Sequence, residues 1–113
     1  MSKLAEKIRK AREVRIQLDG KPHVFIALRP TDLDMMELRE GITPRGLLRF
    51  VVGWENVAEI DLVPGSDPHP LAFDSEALVE WVSDEPELFA ALINGITGAY
   101  ADHQAKREAA KKN

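Results

Sequence analysis

Both tryptophans of this 113-residue chain fall within one stretch, Gly53 to Val82, one near each end. Aromatic side chains bury the largest areas, so two of them in so small a chain must anchor most of its core. Between them lies Val63-Pro64-Gly65-Ser66-Asp67-Pro68-His69-Pro70. Proline fixes φ and lowers the entropy of the unfolded loop, so this segment reads as an ordered corner and not a tether. Past the corner, Asp74 is a good N-cap, with Phe73 just before it and Leu78 at the fourth helical position, the pairing that sets how a chain enters a helix. Ala77, Leu78, Trp81 and Val82 then share one stripe. Trp54, Phe73, Leu78 and Trp81 are the expected structural anchors.

The length fits one domain, which at this size buries roughly two-thirds of its unfolded-chain surface. There is no cysteine, which excludes disulfides, thiolate zinc sites and cysteine nucleophiles. The longest apolar runs, Phe50 to Val52 and Phe89 to Ile93, are far too short to span a bilayer. The basic N-terminus has no apolar core behind its charges and does not read as a secretory signal, so a soluble, unexported protein is expected. The net charge of −4 is unevenly spread: residues 1–15 carry +4 and 102–113 carry +2, leaving −10 on the middle. An acidic body repels nucleic acid over most of its surface, and the basic ends read first as solvated helix.

Residues 1–13 form a basic N-terminal helix or arm, with Leu4, Ile8 and Ala11 at helical spacing among five Lys/Arg. Val14 to Leu18 alternates apolar and polar, Asp19-Gly20-Lys21-Pro22 supplies a turn, and His23 to Leu28 is the return strand of a hairpin. Thr31 caps a helix through Leu33, Met35, Met36 and Leu38, with Gly41 as its stop, and the Met pair reads as core filling. Thr43-Pro44 opens another helix, whose apolar face is expected to run over Leu47, Leu48, Phe50, Val51 and Val52 to Gly53. Pro86 opens the longest helix, with Leu88, Leu92, Ile96, Ala99 and Tyr100 along one face and Phe89 and Ile93 beside them. Gly95 and Gly98 inside it each cost about 1 kcal/mol against alanine, for which close packing is the ordinary reason and a hinge the sharper one. Residues 102–113 form a polar tail expected to fray. The fold expected is α+β: one domain over 14–101, an N-terminal β-hairpin packed against a mainly α-helical body of about four helices.

Chemistry is sparse. His23, His69 and His103 sit on a strand, a proline loop and the polar tail, with no two at ligand spacing, so no metal site is expected. No serine lies in a nucleophile elbow, and the isolated glycines make no phosphate-cradling loop. Acid pairs such as Asp84-Glu85 open helices, where the macrodipole accounts for them. No catalytic residue, cofactor or enzymatic activity is expected.

The order of features resembles the tail assembly chaperones of long-tailed bacteriophages and prophages. The resemblance covers about residues 14 to 101. It rests on the Asp-Gly-Lys-Pro hairpin, the Leu28-Arg29-Pro30-Thr31-Asp32 helix start and the run Arg49-Phe50-Val51-Val52-Gly53-Trp54-Glu55-Asn56-Val57. It continues through Pro70-Leu71-Ala72-Phe73-Asp74-Ser75-Glu76-Ala77-Leu78 and the helix from Pro86-Glu87-Leu88 to Ala99-Tyr100. These short, tolerant motifs are structural and not catalytic. The resemblance implies a non-virion assembly factor in the cytoplasm of a bacterial host. Its partners would be the long helical tape measure protein and the tail tube protein, with self-association compatible and no membrane involved. The last helix is the expected partner surface, through Phe89, Leu92, Ile93, Ile96 and Tyr100, because its apolar band is wider than one packing partner requires. Two other classes remain open: a structural head–tail joining or tail-completion protein, and a small regulatory protein that meets nucleic acid through the basic ends.

Overall fold

Local signals start most elements where the sequence places them. The computed structural model describes residues 2–112 and contains α1 (Lys3–Ala11), β1 (Glu13–Gln17), β2 (Val24–Leu28), α2 (Asp32–Leu38), α3 (Pro44–Leu48), β3 (Val51–Glu55), α4 (Glu59–Leu62), α5 (Ser75–Asp84) and α6 (Pro86–Lys111). Thr31 Oγ1 accepts from the Asp34 N–H at 3.1 Å while an Asp34 carboxylate oxygen accepts from the Thr31 N–H at 2.9 Å, a reciprocal cap. Thr43 Oγ1 accepts from Gly46, and Asp74 Oδ1 accepts from both Glu76 and Ala77. Gly20 takes the positive φ, 71°, that the turn between β1 and β2 needs.

The α+β class holds, but the described residues form six helices, five of them in the body where about four were expected, and the hairpin is part of a three-stranded antiparallel sheet in the order β1-β2-β3. The added strand is Val51–Glu55, expected as the end of a helical face. Valine, valine and tryptophan fit a pleated surface, and β2 would otherwise expose a second bare edge. Pairing Ile26 with Gly53 and Ala27 with Val51 leaves Val52 as an extra, bulged residue, 39 % exposed. The polar C-terminal segment is helical: α6 continues unbroken from Pro86 to Lys111. Alanine, lysine, arginine, glutamine and glutamate after Asp102 are strong helix formers with no breaker among them, so propensity carries the helix past its last packed turn.

One face of the sheet and the inner faces of α3, α5 and α6 enclose the core. Phe25, Leu47, Leu78, Leu92 and Ile96 are its largest fully buried side chains. The aromatic anchors meet at its centre. Trp54 stands edge-on to Trp81 at 6.2 Å, to Phe73 at 5.1 Å and to Phe25 at 6.5 Å, the arrangement that ring quadrupoles favour. Trp54 Nε1–H donates to the Leu71 carbonyl at 2.9 Å, pinning the chain beyond the proline corner to β3. Trp81 Nε1–H, also buried, finds no partner among the described residues.

The two glycines of α6 differ. A Cβ on Gly95 would lie 2.7 to 3.0 Å from three side-chain atoms of Ile16, so bare backbone is what lets α6 cross β1 this closely. Gly98 has open space where its Cβ would be.

Candidate interaction surface

The band expected to meet a partner is largely spent on the domain itself. Leu92 and Ile96 are fully buried, Tyr100 is 7 % exposed, and Phe89 and Ile93 are half-buried against the same core. Leu88 joins them on the inner face. The width that suggested a free surface is used because α6 is covered from two directions, by β1 on one side and by α3 and α5 on the other.

Apolar surface is exposed elsewhere. No residue of α1 is buried, and its stripe is open, with Leu4 67 % and Ile8 48 % exposed. On α2 the methionine pair divides: Met35 packs on the core beside Leu38, while Met36 turns outward with Leu33, the two 60 % and 73 % exposed. Leu33 and Met36 are three positions apart and so share a face. The α1 stripe was visible in the sequence; the outward face of α2 was hidden, because Leu33, Met35, Met36 and Leu38 spread apolar residues around so short a helix.

Beside that face, Asp32 ties α2 to the distal half of α6. The Tyr100 hydroxyl donates to Asp32 Oδ1 at 2.7 Å, and Arg107 grips both carboxylate oxygens at 3.0 and 3.1 Å. These bonds from Arg107, then from Tyr100, hold the Asp32 pKa down at about 2, and the same carboxylate raises that of the Tyr100 hydroxyl. Gln104 Nε2 donates to the Tyr100 oxygen and completes the network.

More positive charge gathers where α1 ends and β1 begins. Arg12, Arg29 and Lys106 have no carboxylate within ion-pair distance among the described residues. Half-burial, then Arg12 and Arg107, lowers the pKa of Arg29. His103 is shifted the same way, first by desolvation and then by Arg29 and Arg107.

The other histidines are structural. His23, just before β2, is 5 % exposed and stands 5.4 Å edge-on to Trp81; its Nδ1 pairs with the Asn56 carbonyl at 2.8 Å. His69 is brought to a carboxylate pair that sequence spacing did not reveal: the ligand atoms of Glu59, Asp67 and His69 lie within 4.8 Å of one another. Backbone bonds from Glu59 N–H to the His69 carbonyl and from Ile60 N–H to the Asp67 carbonyl fold the proline corner back to do this. His69 Nε2 stands 3.3 Å from a Glu59 carboxylate oxygen at the surface. No helix among the described residues is long and apolar enough to cross a membrane. Comparison of the chain with protein-family models, with curated proteins and with solved structures finds no match.

Proposed function

We propose that this protein is a tail assembly chaperone of a long-tailed phage or prophage. It acts without catalysis in the host cytoplasm, holding the tape measure protein until tail tube subunits assemble around it. The motifs of residues 14 to 101 support the family, and the observation that carries the binding mode is the open amphipathic face of α1, with further exposed apolar residues on α2. A tape measure helix offers an apolar stripe with charged flanks. Leu4, Ile8, Leu33 and Met36 offer apolar contact, and Lys3, Lys7, Arg9 and Lys10 of α1 offer complementary charge for acidic flanks. The surface differs from the α6 band expected from the sequence, because α6 is occupied.

The test is co-expression with the tape measure protein encoded by the same phage or prophage. A soluble complex that dissolves on Leu4→Asp with Ile8→Asp supports the reading. A tape measure that stays insoluble and unbound rejects it, and recovery of the chain in purified particles assigns it to the virion instead.

A further inference from the structure

The strand order β1-β2-β3 leaves the outer edge of β1 without a strand partner. Leu18 N–H donates to the His23 carbonyl and Arg29 N–H to the Arg12 carbonyl, which fixes the phase of the ladder. In an antiparallel pair the backbone groups alternate, so those of Val14 and Ile16 turn to β2 while those of Glu13, Arg15 and Gln17 turn outward. Such an edge is a ready template for another extended chain. Along it runs a cleft of about 620 Å³ between β1 and α6, kept open over Gly98, where no atom lies within 4 Å of the missing Cβ.

The cleft is charged at one end. Arg12, Arg29, His103 and Lys106 border it. Glu13 and Asp102 border it too, but neither pairs with a cation at ion-pair distance among the described residues. Asp32, the acid that favours the charged forms of Arg29 and His103, is already gripped by Arg107 and Tyr100. Cations crowd a half-buried corner with their carboxylate partner committed elsewhere.

We propose that this cleft binds an extended acidic peptide segment, which adds to the sheet along β1 and seats a carboxylate among Arg12, Arg29 and Lys106. The alternating outward donors and acceptors match a peptide backbone and give affinity without sequence, while the cations select acidic side chains. A nucleic acid fits less well, since it has no peptide ladder of donors and acceptors to match the outward groups of an edge strand. The site is separate from the helical face of α1 and does not depend on the tail-assembly reading.

The probe is a fluorescein-labelled octapeptide of alternating aspartate and valine, followed by anisotropy at low salt with the full-length chain. Saturable binding is expected, with Lys-Val peptide inert. Arg29→Gln is expected to weaken it about tenfold or more. Lys106→Glu, on the exposed side of α6, is expected to act in the same direction without touching the core. Amide exchange supplies a readout that simple charge attraction would not move: the Glu13, Arg15 and Gln17 amides become protected on binding, and the His103 pKa rises. No binding, binding indifferent to both variants, an unprotected β1 edge, or equal affinity for an eight-nucleotide single strand would each overturn the proposal. None of these outcomes bears on tape measure binding, because the probe has no helical apolar face.

Discussion

Asp32 has a sharply defined dependence on pH. Its carboxylate is held at about 2 in the folded protein against 3.8 for the unperturbed group. A folded-state pKa lowered in this way favours the native state above the unfolded value, and the contribution fades as pH falls through the folded one. The melting-temperature advantage of the wild type over Asp32→Asn should be constant above about pH 5, shrink between about pH 4 and 2, and vanish below. Arg107→Ala should let the Asp32 pKa climb back toward its ordinary value, read by carboxyl-carbon NMR. The two tryptophans give a second comparison. Trp54→Phe and Trp81→Phe remove similar volumes, but the first abandons the Leu71 carbonyl while the second removes a buried donor that has no partner. Trp54→Phe should be the more destabilising by about 1 to 2 kcal/mol in denaturant unfolding. The anchor role of both residues was legible from composition. The unequal fates of their indole N–H groups depend on what the proline corner places nearby, which no local pattern states.

Helix starts at Thr31, Thr43 and Asp74 were legible because a cap is a contact within three residues. Strand β3 was not. Leu47 to Trp54 carries enough apolar residues to satisfy a helical or a strand period, and the choice was made by the bare edge of β2, far away in sequence. The length of α6 was missed for the opposite reason: its distal half has no apolar pattern and is helical through propensity and the Asp32 clamp. Its two glycines separate packing from propensity. Gly98→Ala should stabilise by about 0.5 to 1 kcal/mol, the helix-propensity gain in open space. Gly95→Ala gains the same propensity but must push Ile16 aside, and overpacking typically costs 1 to 3 kcal/mol, so it should end destabilising. Equal and positive effects from both substitutions would show that α6 can drift off β1 without loss.

Across the whole molecule, apolar surface is divided between a core that takes the large apolar side chains of α6 and a rim of exposed residues on α1 and α2. The sequence showed how much apolar surface each helix carries. It could not show which of it faces inward, because that depends on how many neighbours each helix acquires. Tyr100 illustrates this: it was read as partner-facing, yet it is buried with its hydroxyl on Asp32. Since α1 buries no residue, deleting residues 2–10 should leave the melting temperature nearly unchanged, and on the proposed function it should abolish tape measure binding. A large loss of stability would instead make α1 a structural element.

The contact between Ile16 and Gly95 joins the first strand to the last helix, and it fixes the order in which a nascent chain becomes safe from aggregation. Strands β1, β2 and β3 are neighbours in both sequence and space, so the sheet is complete once Glu55 has emerged from the ribosome. Its apolar face then waits for α5 and α6, at an elongation rate of about 5 to 20 residues per second. During those seconds Ile16, Phe25 and Trp54 should have only α3 for cover, without α5 and α6, and slowed translation between the codons for Glu55 and Tyr100 should prolong that exposure more than slowing anywhere else.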